Sequence, residues 1–158
     1  MAKKILTLCL LRKDDQILLG MKKYGFGAGK WNGFGGKLDF GETIEQAAMR
    51  EMQEESSVIV ENLEKRGVLD FEFQGNSEIL EVHVFHAQNF TGMPKETNEM
   101  RPQWFEVDHI PYDKMWPDDE FWMPLFLEGK KFRGRFMFNQ EKNAKIIKQY
   151  LEVVENLI

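Results

Sequence analysis

The sequence predicts an α/β (α+β) fold on three observations. Runs such as VLDFEF and LEVHVF alternate apolar and polar residues, which is typical of strands with one buried face. The segment after residue 42 instead repeats apolar residues at intervals of three and four, which is typical of an amphipathic helix. The chain of 158 residues, 42% of them hydrophobic, can bury one core. We therefore expect a single domain over residues 1–158.

The amino-terminal part is predicted to form a β-hairpin followed by a long loop. Leucine-rich strands are expected at residues 4–12 and 16–22, because the polar turn Lys13-Asp14-Asp15 separates them. Residues 25–36 then combine many glycines with aromatic residues. Such a loop can bring backbone N–H groups close to a phosphate, although the segment lacks the order of a Walker or dinucleotide motif.

The first helix is predicted to begin at Thr43. The hydroxyl of Thr43 can cap the helix while Gln46 reaches back, as in a capping box. One face should be buried through Ile44, Ala47, Ala48 and Met52. The acidic residues of this helix would then face a cleft.

The rest of the chain is predicted to add more strands and two helices. Strands at residues 65–73 and 79–88 should flank a turn at Gln74-Gly75-Asn76. Further on we expect a strand at 103–107, a helix at 119–127, a strand at 131–138 and a helix within 139–158. The last helix is predicted from apolar residues at helical spacing, namely Ile146, Ile147, Tyr150, Leu151 and Val154.

A cluster of acids at the end of the first helix indicates a metal site. Glu51, Glu54 and Glu55 lie three and four residues apart, so they share one face and repel one another. Carboxylate oxygens suit Mg²⁺ or Mn²⁺, and a bound cation would offset that repulsion. The other interpretation is a solvated acidic face, which is the common meaning of a charge run.

The spacing of the whole segment resembles the Nudix box. Gly36 is followed after five residues by Glu42 and after seven more by the run Arg50-Glu51-Met52-Gln53-Glu54-Glu55. One departure is Ser57, which stands where the family pattern has glycine. If that position takes the left-handed conformation that ends helices, serine costs about 1 kcal/mol there.

Other segments resemble the branch of the Nudix family that hydrolyses oxidised purine nucleoside triphosphates. They are LLGMKKYGFGAGKWNGFGGK, VHVF, NEMRPQWF and MWPDDEFW. The resemblance implies an α/β/α sandwich around a mixed sheet. It also implies Mg²⁺-dependent hydrolysis of nucleotides such as 8-oxo-dGTP and 2-hydroxy-dATP to a monophosphate and pyrophosphate, which sanitises the nucleotide pool.

The same resemblance assigns roles to residues of this chain near the phosphates. The Gly36 carbonyl would hold Mg²⁺, or alternatively Mn²⁺, together with Glu51 and Glu55. Glu54 would assist, and Glu99 would complete the metal site or act as the base. Arg50 would orient the glutamates, because an arginine can pair with an acid four residues later. Lys22 and Lys37 are candidate phosphate contacts; otherwise they are solvated surface charges.

The resemblance also implies that an acidic pair recognises the base. Adjacent Asp118 and Asp119 in a buried pocket disfavour double ionisation, so one can donate a hydrogen bond while the other accepts. The alternative is that one aspartate merely caps a helix. Trp116 would stack on the base, and Asn32 would add a polar contact. The remaining substrate-binding assignments are Phe26, Phe71, Phe73 and Leu80 as walls, Thr7 and Leu8 as a floor, and Phe34, Gly35 and Gly36 from the glycine-rich loop.

The charge of the chain limits its partners. With 21 basic and 26 acidic residues the net charge is -5, which argues against binding to nucleic acids or membrane surfaces. We expect a small-molecule nucleotide substrate and a monomer. The single cysteine, Cys9, suits a reducing compartment, so we expect the cytoplasm, with the nucleus or mitochondria as alternatives.

Two other functions remain open at this point. The chain could be a Nudix hydrolase of another substrate, such as an alkylated purine nucleotide, a nucleotide sugar or a dinucleoside polyphosphate. It could also be a non-catalytic nucleotide-binding module. Three mutually repelling acids argue against the second alternative, because a module that only binds has no need of them.

Overall fold

A computed structural model describes residues 3–157 as one large sheet with helices packed on it. The strands are β1 (Lys3–Lys13), β2 (Gln16–Lys22), β3 (Trp31–Asn32), β4 (Ile59–Glu61), β5 (Glu64–Phe73), β6 (Ile79–Ala87), β7 (Asn89–Thr91), β8 (Met100–Glu106), β9 (Lys131–Phe138) and β10 (Ile146–Val154). The α-helices are α1 (Ile44–Ser56) and α2 (Asp119–Leu127), and a short 3₁₀-helix spans Tyr112–Lys114.

The large sheet is mixed. Its strands follow the order β10-β9-β5-β6-β1-β2-β3, and β8 also pairs with β2. The pairs β1–β6 and β5–β9 are parallel, whereas the other pairs in this sheet are antiparallel. Strands β4 and β7 form a separate two-stranded sheet. Because β9 and β10 extend the sheet beyond β5, the carboxy-terminal segment belongs to the same layer as the amino-terminal hairpin.

The two helices cover opposite faces of the sheet. Successive side chains of a strand point to opposite faces, and the two core clusters follow this alternation. Leu10 of β1 packs with Trp122 and Phe126 of α2, whereas the next residue, Leu11, packs with Met52 of α1. The sheet therefore lies between α1 and α2, which confirms the predicted α/β/α arrangement.

Both ends of α1 have the predicted geometry. The Gln46 backbone N–H donates to the Thr43 hydroxyl at 3.1 Å, and the Thr43 N–H donates to the Gln46 side chain at 2.9 Å, which completes the capping box. Ser57 ends the helix in the left-handed region, with φ of 68°. A non-glycine residue therefore occupies a conformation that glycine adopts at lower cost.

The predicted carboxy-terminal helix is wrong. Residues 146–154 form β10, which pairs antiparallel with β9, with Tyr150 opposite Arg135. Ile146 and Leu151 pack against the core cluster on the α2 side, whereas Ile147 and Tyr150 are exposed. The helical spacing of these apolar residues thus does not mark one buried face. Isoleucine, valine and tyrosine also favour strands. Because the edge of β9 is available for pairing, the segment forms a strand and not a helix. Ile158, the last residue of the predicted helix, lies outside the described residues.

The other predicted elements are confirmed within one to three residues at their ends, as expected for element boundaries. The short strands β3, β4 and β7 had no counterpart in the prediction. Within residues 3–157, no helix is both long and apolar enough to cross a bilayer.

Candidate active site

A cavity of about 560 Å³ opens on the α2 side of the sheet. Strands β1, β5 and β6 form its wall, the loop before α2 closes one end, and the glycine-rich loop joins it to α1. It is lined by most residues that the sequence assigned to the substrate, namely Thr7, Leu8, Lys22, Phe26, Asn32, Gly35, Gly36, Lys37, Phe71, Phe73, Leu80, Trp116, Asp118 and Asp119. The predicted binding residues, distant in sequence, therefore meet in one place.

Phe34 is the exception. Its ring is fully buried in the core cluster on the α1 side and does not line the cavity. The cause is a backbone bridge: the Cys9 N–H donates to the Phe34 carbonyl at 2.6 Å, and the Phe34 N–H donates to the Cys9 carbonyl at 2.9 Å. Phe34 is thus paired with Cys9 as in an antiparallel sheet. Its ring points to the α1 side of the sheet, away from the cavity.

The cavity also has lining residues that the sequence reasoning missed. They are Lys4, Leu6, Asn76, Glu78, Val82, Trp122 and Phe138. Strand alternation could have identified Leu6 and Val82, since each lies two residues from a predicted lining residue. Trp122 could have been found from its helical spacing to Asp118. Lys4 follows the same alternation through Leu6, whereas Asn76 and Glu78 lie outside the predicted strands and carry no such signal.

Two adjacent carboxyl groups lie at the end of the cavity where α2 begins. Asp118 and Asp119 are each only 3% exposed. The Trp122 indole N–H donates to Asp118 Oδ2 at 2.8 Å, while Asp119 Oδ2 has no hydrogen-bond partner among residues 3–157. Asp118 makes no side-chain capping bond to α2. The geometry therefore disagrees with a simple capping role and leaves a buried polar oxygen free.

The electrostatics of this pair favour one shared proton. Burial raises the pKa of Asp118. Burial also raises the pKa of Asp119 well above its usual range, and the neighbouring charge of Asp118 raises it further. A buried pair of this kind releases its protons in two separate steps. Between those steps the pair offers one donor and one acceptor.

Aromatic rings form the mouth of the cavity. The rings of Phe26 and Trp116 lie 5.1 Å apart and are tilted by 34°, and Phe73 meets Phe26 edge-on at 5.6 Å. Lys30 Nζ lies 5.5 Å from the centre of the Trp116 ring. Gly27 adopts a φ of +84°, and a Cβ atom there would stand 3.2 Å from the Trp116 indole nitrogen. The backbone of the glycine-rich loop therefore lies close to the partly exposed indole ring of Trp116.

Arg50 organises the acidic end of α1. Its guanidinium donates to both carboxylate oxygens of Glu42, at 2.7 and 3.0 Å. It also donates to Glu51 at 2.8 Å, to Glu54 at 3.1 Å and to the Lys37 carbonyl at 2.9 Å. The predicted pairing with Glu54 is confirmed. The two-fold contact with Glu42 is an additional link, and it ties the segment just before α1 to the helix.

Glu55 is the most deeply buried acid of the cluster. It is 6% exposed, and the Gly35 N–H donates to its Oε1 at 2.9 Å. Burial raises the pKa of Glu55 to about 8, the Gly35 bond opposes this, and the charges of Glu51 and Glu99 add to the rise. Burial also raises the pKa of Glu51, against the effect of Arg50. Glu51, Glu55 and Glu99 therefore lie near enough to repel one another.

The loop and the helix meet closely at Gly36. A Cβ atom at this position would stand 2.8 Å from the Glu51 carboxyl carbon, so only glycine fits without a shift. The Gly36 carbonyl accepts a hydrogen bond from the Thr7 N–H at 2.9 Å. Because Gly36 has no side chain, the Glu51 carboxylate can lie close to the Gly36 backbone.

The donor set fits a hard divalent cation. It consists of carboxylate oxygens and a carbonyl, and burial, with a smaller contribution from mutual repulsion, raises the pKa of Glu51 and Glu55. Within residues 3–157, no three His, Cys, Asp or Glu side chains converge in an arrangement that could hold an ion as it stands. Arg50 accounts for part of this, because it holds Glu51 and the half-exposed Glu54 by their oxygens. Small rotations of these side chains would be needed for coordination.

The chain is similar to known proteins over most of its length. The NUDIX domain model matches residues 3–126. The oxidized purine nucleoside triphosphate hydrolase of Danio rerio is 53% identical, covering 98% of this chain and 97% of that protein. The mouse protein of the same name is 52% identical, covering 87% of this chain and 88% of its own.

Solved structures agree with the fold. A MutT protein from Bacillus halodurans has a TM-score of 0.81 at 25% identity, covering 94% of this chain and 97% of that one. A MutT NUDIX hydrolase from Burkholderia pseudomallei has a TM-score of 0.65 at 30% identity, covering 70% and 88%. Family members generally require a divalent metal such as Mg²⁺. The family model, the relatives and the site geometry agree, and the chain belongs to the NUDIX domain family.

Proposed function

We propose that this chain hydrolyses oxidised purine nucleoside triphosphates, such as 8-oxo-dGTP and 2-hydroxy-dATP, to a monophosphate and pyrophosphate. The observation that carries the proposal is the buried Asp118–Asp119 pair in a cavity that is also lined by Gly35 and Gly36, the two residues that contact Glu55 and Glu51 of α1. Relatives at 53% and 52% identity are named as hydrolases of this substrate class.

The aspartate pair would select the base. With one proton between them, the carboxyls can donate one hydrogen bond to a purine edge and accept another. Because the proton can sit on either residue, the same pair suits both an oxidised guanine and an oxidised adenine. Asn32 also lines the cavity and would add a polar contact, while Trp116 and Phe26 offer flat surfaces for stacking.

The triphosphate would lie towards the glycine-rich loop. Lys22 and Lys37 line this side of the cavity and can neutralise phosphate charge. Arg50 fixes the directions of Glu51 and Glu54 through direct hydrogen bonds, so these carboxylates lose little freedom on binding. Glu99 would either complete the metal site or accept the proton of the attacking water. A carboxylate within reach of that water can act as the general base.

Glu51, Glu54, Glu55, Glu99 and the Gly36 carbonyl would together hold Mg²⁺, or Mn²⁺ in its place. The ion would supply charge neutralisation for the phosphates and acidify the attacking water. We further propose that residues 1–158 act as one monomeric domain in a reducing compartment such as the cytoplasm. The single cysteine fits a reducing compartment, because Cys9 is fully buried and burial raises its pKa to about 12, as in an inert core thiol.

Two substitutions separate the chemistry from the base selection. Glu55→Gln should lower kcat at least ~100-fold on every nucleotide, because it removes an interaction made mainly in the transition state. Asp119→Ala should keep Mg²⁺-dependent turnover but lose the preference for oxidised bases, because it removes one of the two carboxyls that share the proton. Steady-state pyrophosphate release from 8-oxo-dGTP and dGTP measures both effects. An unchanged ratio in Asp119→Ala would refute the assigned base contact, and unchanged turnover in Glu55→Gln would refute the metal assignment.

A further inference from the structure

The carboxy-terminal end of α2 is held by two arginines from the sheet. Arg66 of β5 donates through Nη1 to the Phe126 carbonyl at 2.6 Å. Arg12 of β1 donates through Nη1 to the Leu127 carbonyl at 2.9 Å. These are the last two carbonyls of the helix, and that of Phe126 also accepts from the Gly129 N–H at 3.1 Å, so Arg66 adds a second donor there. Two cations therefore bind the end of α2 that lies opposite the aspartate pair.

Arg66 is fixed tightly between neighbours. It is only 8% exposed, and its guanidinium also pairs with Glu64. Its guanidinium carbon lies 5.4 Å from the centre of the Phe126 ring, and the His86 ring meets the same phenyl ring edge-on at 5.6 Å. Because these neighbours surround the Arg66 guanidinium, it has little freedom to move. Its hydrogen bond to the Phe126 carbonyl therefore holds the end of α2 at a defined position.

Helix α2 depends on such external contacts. It has nine residues, and Pro124 within it has no N–H to donate. Its N-cap residue, Asp118, makes no side-chain capping bond, and its last turn contains no basic residue. A helix this short gains most of its stability and placement from tertiary contacts. The two arginines satisfy carbonyls at the negative end of its dipole, where cations are favourable.

We propose that Arg66, assisted by Arg12, is a positioning residue for base selection. The inference rests on the proposed function, because it concerns the same aspartate pair. Phe126 lies seven residues beyond Asp119, which places the anchored carbonyl about 10 Å along the helix axis from the carboxyls, at 1.5 Å per residue. A shift or tilt of α2 at the anchored end therefore also displaces the Asp118–Asp119 pair at its other end. Discrimination of a single oxygen on a base needs sub-ångström placement, so a small displacement weakens it.

The alternative is that Arg66 only stabilises the fold. The two roles differ in what they change: a structural role lowers the melting temperature alone, whereas a positioning role raises KM for the oxidised nucleotide and leaves kcat nearly unchanged. Helix α1 packs on the other face of the sheet from α2, so the chemical step should be less sensitive than base binding to the tilt of α2. The KM and kcat values therefore distinguish the two roles.

The test compares Arg66→Met, Arg12→Met and Arg66→Lys with a control, Arg133→Met. Methionine keeps much of the apolar stem of arginine but removes the donors. Arg133 is a suitable control because it also donates to a backbone carbonyl, that of Leu157 at 3.1 Å, but on a strand that makes no hydrogen bond to α2. Melting temperature, kcat and KM are measured for each variant on 8-oxo-dGTP and dGTP.

We expect Arg66→Met to raise KM for 8-oxo-dGTP about tenfold, a factor that corresponds to about 1.4 kcal/mol. Its kcat should stay within about threefold, and the preference over dGTP should fall by a similar factor to the rise in KM. Arg12→Met should show a smaller effect in the same direction, Arg66→Lys should recover part of the loss, and Arg133→Met should keep the wild-type preference. If Arg66→Met does not fold, Arg12→Met and Arg66→Lys decide the question.

A lower melting temperature with unchanged KM and preference in the Arg66 and Arg12 variants would overturn the inference alone. A wild-type protein without any preference for 8-oxo-dGTP would instead overturn the proposed function, and the inference with it. The two failures are therefore distinguishable within one set of measurements.

Discussion

Replacing Glu55 with glutamine should stabilise the protein against unfolding in the presence of a chelator, and the gain should grow with pH. The Glu55 carboxyl is 6% exposed, and its pKa is about 8 in the folded protein against 4.5 for an ordinary glutamate. Below pH 4.5 the carboxyl is protonated in both states and costs nothing. As the pH rises, the unfolded chain releases the proton while the folded protein retains it, so stability falls until the folded pKa is reached.

The size of the effect follows from these two values. Each pH unit between them is equivalent to about 1.4 kcal/mol, so the destabilisation above pH 8 is at most about 5 kcal/mol. Relaxation and water entry reduce such penalties, and we expect about 2–3 kcal/mol. Glutamine of similar shape carries no charge and can still accept the Gly35 N–H. The variant therefore escapes the penalty without losing that bond.

Urea unfolding of the wild type and Glu55→Gln measures the difference directly. With chelator present, the variant should gain about 2–3 kcal/mol relative to the wild type between about pH 5 and about pH 9. With excess Mg²⁺, the wild type should gain stability and the variant should gain little, because the ion offsets the charge that glutamine lacks. A difference between the two proteins that stays constant with pH would refute the buried, proton-retaining state of Glu55.

Two further outcomes are expected. Ser57→Gly should raise the free energy of unfolding by about 1 kcal/mol, because Ser57 has a φ of 68° that glycine adopts without strain; Ser57→Ala is the control, and an equal gain in both variants under urea unfolding would contradict this cause. The KM for 8-oxo-dGTP should rise as the pH increases through the higher pKa of the Asp118–Asp119 pair, because the shared proton is then lost. A KM profile in Asp119→Asn with the same rise would assign the titration to another group.

Features set by local sequence could be predicted with little error. The capping box of α1 and the left-handed Ser57 depend on residues within a few positions of one another. The acids that share one face of α1 likewise follow from helical spacing alone. Their link to Arg50 was predictable for Glu54, which is four residues away. The bond between Arg50 and Glu42 depends on how the preceding loop folds back, and helical spacing does not describe that loop.

Features set by distant pairing were harder to predict. Residues 146–154 have apolar residues at spacings that both a helix and a strand could use, and the exposed edge of β9 decides between them. Phe34 lies in an irregular loop, where only the bridge to Cys9 determines which face its ring takes. The anchoring of α2 by Arg66 joins residues sixty positions apart, and no pattern in the sequence indicates it.

The central claim is that one cavity selects an oxidised purine and presents its triphosphate to the acids of α1. The most direct test is pyrophosphate release by the wild-type protein from 8-oxo-dGTP, 2-hydroxy-dATP and dGTP at equal low concentration, each with Mg²⁺ and with chelator. The account predicts fast release that favours the two oxidised nucleotides and stops with chelator. Equal, slow release from all three, or release that continues in the chelator, would contradict it.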